Sequence, residues 1–182
     1  DLSFTDILVI NKAITLDGNN FTLTSTAARA INVDVNGKVA ISNLTIVAGE
    51  RAINIINKVA TVEINNVTAT ANNNAVMVAT SAGAAKVTIN NSILTGLAVV
   101  NVAGAGSNVE INNTSITNVD AAKNENYGAI TVSSTGENVK VTVDENSTIT
   151  VSDDSREAYI FPASATVTGV ADVGRIIALL GD

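Results

Sequence analysis

Short runs of alternating apolar and polar residues recur along almost the whole chain. A first set reads Ala13-Ile-Thr-Leu16, Val39-Ala-Ile41, Val62-Glu-Ile64, Val87-Thr-Ile89, Val109-Glu-Ile111 and Val139-Lys-Val141. A second set follows: Phe21-Thr-Leu23, Leu44-Thr-Ile46, Val67-Thr-Ala69, Ser92-Ile-Leu94, Thr114-Ser-Ile116 and, less regularly, Thr148-Ile149. A third completes each unit: Ile31-Asn-Val33, Ile53-Asn-Ile55, Val76-Met-Val78, Val100-Asn-Val102, Ile130-Thr-Val132 and Tyr159-Ile-Phe161. Leu8-Val-Ile10 reads as the third strand of a coil whose beginning is absent. From Val39 the first strand returns after 23, 25, 22 and 30 residues. Period-two alternation marks strands buried on one side. Three such strands per repeat, with almost no helical periodicity, predict an all-β parallel solenoid over residues 1–168. A β-sandwich is the rival, but hairpin signals such as Asp17-Gly18 are few. About six coils at a rung spacing of ~4.8 Å make a rod roughly 29 Å long.

Asparagine is the second signature. Asn20, Asn43, Asn66, Asn91, Asn113 and Asn146 each fall just before the second strand. Asn tolerates the left-handed backbone that such turns need, and its amide can pass a hydrogen bond from coil to coil. These six are therefore expected to form a structural ladder. Most also match the N-x-[ST] glycosylation pattern; the repeat accounts for them as an Asn at the turn, an inward apolar residue and an outward Thr.

The stacked Val-x-Ile strands, the Asn ladder and the opening Ile14-Thr-Leu-Asp-Gly-Asn-Asn-Phe-Thr-Leu23 together resemble the right-handed parallel β-helix of the pectate-lyase-like superfamily. More narrowly, they resemble its non-enzymatic members in bacterial cell-surface proteins, often attached to S-layer-homology or other wall-anchoring modules. The resemblance covers residues 5 to 168 and implies a secreted or wall-attached structural or adhesive segment. In that family a strand and an amphipathic helix usually precede this opening, so Asp1-Leu-Ser-Phe4 is expected to be their tail. At the other end, Ala171–Leu180 has helical character, and residues 169–182 are expected to cap the open apolar end or to lead into a linker.

Composition narrows the chemistry. Among 182 residues there is no His, Cys or Trp, one Pro, and 3% aromatic residues against 46% hydrophobic ones. That removes Ser-His-Asp and Cys-His catalysis, imidazole or thiolate metal sites and any disulfide framework. A net charge of −7 from 10 basic and 17 acidic side chains argues against a nucleic-acid partner. No apolar run approaches the ~18 residues of a spanning helix, so membrane insertion is not expected. No signal-peptide pattern opens the chain, which reads as an internal fragment or a mature form, a monomeric domain within a larger chain.

Enzymes of the resembled superfamily act on acidic polysaccharides through Arg or Lys bases, calcium-holding carboxylates, or clustered Asp. The nearest match is the outer face of the first strand, with Glu63, Glu110 and Lys140 in one row and Lys38 and Lys86 beside it. Glu63 and Glu110, two rungs or about 9.6 Å apart, sit near the upper limit of an inverting carboxylate pair. Nothing in the sequence suggests a groove, and Lys86 between them would keep both ionised; a solvated ladder of opposite charges is the better explanation, so no catalytic residue is assigned. The third strand's outer row (Asn32, Asn54, Met77, Asn101, Thr131, Ile160) holds no acid and no base. Asp144-Glu145 and Asp153-Asp154 with Glu157 could offer oxygens to calcium, but no EF-hand or glycine-rich calcium repeat accompanies them, and no cofactor is expected.

Two further features bear on partners. The loops between second and third strands lengthen in the fifth and sixth coils, and insertions on one side of a solenoid commonly make its binding face. This nominates Asp120, Lys123, Glu125, Tyr127, Asp153, Asp154, Arg156 and Glu157 as contacts to a cell-wall or host glycan or protein surface. The second strand's outward residues form a two-column Thr grid of the kind ice-binding proteins present, interrupted by Val47 and Ile93; β-propensity alone also favours Thr there.

Overall fold

The computed structural model describes residues 1–57, 59–119, 127–152, 156–169 and 177–178. It is an all-β parallel solenoid of about seven turns. Every strand pairing is parallel and joins one coil to the next. Among the described residues no helix is long and apolar enough to cross a membrane.

Three faces run along the rod. The first comprises Thr15–Asp17, the leading halves of Lys38–Ala48 and Thr61–Ala71, then Lys86–Asn90, Asn108–Asn112, Lys140–Val143 and Thr166–Thr168. The second runs from Leu2–Phe4 through Thr22–Ser25, the trailing halves of the two long strands, Ile93–Gly96 and Ser115–Asn118 to Thr148–Thr150. The third begins at Leu8–Ile10, as expected, and continues through Arg29–Val33, Arg51–Ile55, Asn74–Val78, Val100–Val102, Gly128–Val132 and Arg156–Ile160. Leu2–Phe4 is thus a second-face strand, its Leu2 and Phe4 registered on Leu23 and Ser25. A further rung, Thr166–Thr168, lies beyond the six expected coils. Of the expected helical cap, only Ile177–Ala178 is described, and it is a strand paired with Tyr159–Ile160; the rest lies outside the described residues.

The core is built from β-branched rows. Val39, Val62, Val87, Val109, Val141 and Val167 stack in register, as do Ile41, Ile64, Ile89, Ile111 and Val143, all buried. Each fully buried side chain of this size contributes roughly 1.5–3 kcal/mol. Stiff β-branched side chains suit the pleat and stack on their equivalents one rung away.

Two registers differ from the sequence expectation, both in the sixth coil. Val141-Thr-Val143, not Val139-Lys-Val141, stacks on Val109-Glu-Ile111. A two-residue shift preserves the in-out alternation, so the hydrophobic pattern cannot distinguish the frames. In the third face Ala158 and Ile160 point inward and Tyr159 takes the outward row, one residue from the expected frame. Small Ala158 reads as outward in sequence, yet it is buried on Ile130.

At the corner between first and second faces, Asn20, Asn43, Asn66, Asn91 and Asn113 have φ of 62°, 51°, 54°, 50° and 45°. This left-handed residue resets the alternation: inward positions step from Ile64 to Val67 and from Ile41 to Leu44, three apart instead of two. Only Gly, Asn and Asp visit this region readily. Asn66 is solvent-exposed, so its value lies in backbone conformation more than in amide burial. Asn66→Leu should therefore cost about 1–2 kcal/mol in urea melts, the strain of a left-handed non-Asn residue. Asn66→Gly should cost less; the reverse order would contradict conformational strain as the cause.

Candidate functional site

Side-chain amides do pass from coil to coil, in more than one ladder. Asn66 Nδ2 donates to Asn43 Oδ1 at 2.9 Å, and Asn43 Nδ2 donates to Asp17 Oδ1 at 3.1 Å. Asn113 Nδ2 donates to Asn91 Oδ1 at 2.7 Å, but no hydrogen bond joins Asn91 to Asn66. The expected continuous ladder is therefore two segments. A second ladder, one residue earlier, spans that gap: Asn90 donates to Asn65 at 2.7 Å and Asn112 donates to Asn90 at 2.9 Å. The sequence carries it as the doubled Asn65-Asn66, Asn90-Asn91 and Asn112-Asn113.

Asn20 and Asn146 stand outside the amide ladder. Asp17 replaces Asn20 as the acceptor from Asn43. The sixth corner is one residue longer, Asn146 lacks the left-handed backbone, and its amide turns to Asp144 Oδ2 at 3.4 Å. Asp144 Oδ1 accepts from the Asn113 backbone N–H at 3.0 Å and the Ser147 hydroxyl at 2.6 Å. Hydroxyls accompany these later corners. Val67 N–H donates to Ser92 Oγ, Ser92 N–H to Thr114 Oγ1, and Thr114 N–H to Ser147 Oγ. Where Leu44 or Val67 follows the corner Asn, the two strands are continuous; where Ser92, Thr114 or Ser147 follows, a hydroxyl takes the previous coil's N–H and the strand breaks.

The first-face charges are arranged in rows. Glu63, Thr88, Glu110 and Thr142 form one; Lys38, Thr61, Lys86, Asn108 and Lys140 form another. Lys140 thus belongs with Lys38 and Lys86 and not with the two glutamates, a consequence of the sixth-coil frame. Lys38 Nζ lies 2.7 Å from Glu63 Oε1, and Asn108 Nδ2 donates to Glu110 Oε1 at 3.2 Å. The glutamates are two rungs apart with Thr88 between them. Among the described residues, no three acids converge as metal ligands.

Of the loop candidates, Asp120, Lys123, Glu125, Asp153 and Asp154 lie outside the described residues. Tyr127, half-buried, precedes Gly128–Val132. Arg156 opens the following strand opposite Gly128, and Glu157 is half-buried beside it, its Oε2 shut from solvent without a hydrogen-bond partner among the described residues. The second-face grid is registered as expected: Thr22, Thr45, Thr68, Ile93, Ser115 and Thr148 in one row, Thr24, Val47, Thr70, Thr95, Thr117 and Thr150 in the other.

The third face departs most from expectation. Its outward row is covered, with Asn54, Met77, Asn101, Thr131 and Tyr159 all buried. Tyr159 packs edge-on against Phe161, ring centres 4.6 Å apart. The strands also begin two residues earlier than the alternating pattern suggests, bringing Arg29 and Arg51 onto this face in direct register. No protein-family model matches the chain, and no curated protein or solved structure matches it either.

Two carboxylates are held below the usual value of 3.8: Asp144 chiefly by the Ser147 hydroxyl, with the Asn113 N–H adding, and Asp17 by the Asn19 backbone N–H and then the Asn43 amide. Both contributions to stability are complete above the unfolded carboxylate value and are lost as pH falls through the lower folded one. The melting temperature should therefore drop below about pH 4, and Asp144→Asn should flatten that acid limb. An unchanged pH profile in Asp144→Asn would remove this corner as its source.

Proposed function

We propose that this chain is a non-catalytic, structural or adhesive β-helix segment of a secreted or wall-attached bacterial surface protein, of the non-enzymatic kind within the pectate-lyase-like superfamily. The supporting observation is the order of the first face. The carboxylates that a polysaccharide-cleaving site would draw on are spaced along a ladder, Glu63 bonded to Lys38 and Glu110 to Asn108. A stack of in-register coils holds its length without a ligand, which suits a rigid spacer presenting loops to a cell-wall or host surface. A second reading, ice binding, draws on the registered Thr rows, in which Val47 keeps the branched shape of Thr.

Incubation with pectin-like, alginate-like and neutral glycans should yield neither unsaturated products nor new reducing ends. Turnover that disappears in Glu63→Gln would overturn the proposal in favour of a lyase or hydrolase. Thermal hysteresis abolished by Thr68→Tyr would instead move the assignment to ice binding.

A further inference from the structure

Among the described residues, like charges on the first face never occupy neighbouring rungs. Thr88 separates Glu63 from Glu110, Thr61 separates Lys38 from Lys86, and Asn108 separates Lys86 from Lys140. The third face breaks this spacing. Arg29 and Arg51 are register partners on adjacent strands, one rung or about 4.8 Å apart. Neither forms a salt bridge with a described carboxylate. Both are half-buried, and the Nε of each is closed to solvent with no acceptor among the described residues.

The surroundings hold these guanidinium groups without neutralising them. Arg51 Nη1 reaches Asn54 Oδ1 at a long 3.5 Å, and Asn54 Nδ2 in turn donates to Asn32 Oδ1 at 2.9 Å. Burial, and then the charge of Arg29, pull the Arg51 pKa down, while Glu50 only partly opposes them. Glu50 itself is exposed. With each Nε closed off, a ligand can meet these side chains only at their terminal nitrogens.

We propose that Arg29 and Arg51 form an anion site that takes one phosphate-type group across the two guanidinium ends. The chemistry favours phosphate over carboxylate. A phosphate monoester carries close to two negative charges at neutral pH and three acceptor oxygens. It can therefore balance both cations and accept from both at once, whereas a single carboxylate leaves one cation uncompensated. This inference does not depend on the surface-protein reading above.

Titrating the intact chain with inorganic phosphate at constant ionic strength, with chloride and acetate as parallel arms, tests the site. Phosphate should raise the melting temperature saturably, as a ligand of the native state does. Arg29→Gln and Arg51→Gln should each weaken phosphate by about tenfold or more and, without phosphate, melt no lower than the parent, because repulsion is relieved. Lys86→Gln should bind as the parent does. A phosphate effect no greater than that of chloride, or one that survives in the double Arg variant, would overturn the site. An acetate effect equal to that of phosphate would overturn its preference for a dianion.

Discussion

A left-handed residue at each of the first five corners is what allows one alternating sequence to bury two successive faces. Without it, alternation carried through the bend would turn the second face's apolar side chains to solvent. With it, Ile64 and Val67, or Ile41 and Leu44, both point inward although three residues separate them. The conformation favours Asn, and that choice has a second effect. Asn at successive corners places amides one rung apart, where Asn66 bonds to Asn43 and Asn113 to Asn91. The ladder follows from the corner, not the reverse.

The ends of the ladder obey the same logic. At Asp17 and Asp144 a carboxylate stands where the amide series stops, accepting N–H groups from the adjoining coil or its own turn. Such acceptors are strengthened by their charge, and both acids are correspondingly held below their ordinary value. Between the ends, the buried Ser92 and Thr114 replace apolar corner residues, and each has its hydroxyl and neighbouring N–H groups paired. A buried polar position is thereby kept satisfied along the stack. Three unlike faces result. The first carries spaced charges, the second a neutral hydroxyl grid, and the third is covered except at its arginine-bearing start.

The repeat and its side-chain rows were legible wherever the coil length was regular. All six pairs of second-face residues fall in the register that their sequence implies, and in the first five coils the left-handed Asn corner fixes that frame. The first and third strands of the sixth coil were not legible, since its longer corner and preceding insertion leave only alternation as a guide. Alternation is blind to a two-residue shift, and Ala158 is too small to mark a face. That shift moved Lys140 out of the glutamate row. The pairing of Arg29 and Arg51 is hidden in the sequence for a related reason. The pattern Ile31-Asn-Val33 starts the strand at the first large apolar residue, while the ladder of hydrogen bonds starts it earlier.

Because the chain has no native cysteine, a pair of spin labels can measure the stack directly. Thr22 and Thr148 lie in one row, joined through Thr45, Thr68, Ile93 and Ser115. Electron–electron dipolar spectroscopy on a Thr22→Cys, Thr148→Cys double variant should give a single narrow distribution. Its centre should correspond to five rungs, about 24 Å between backbones at ~4.8 Å per rung. A broad distribution, or a centre displaced by a whole rung or more, would contradict an in-register solenoid set by its corners.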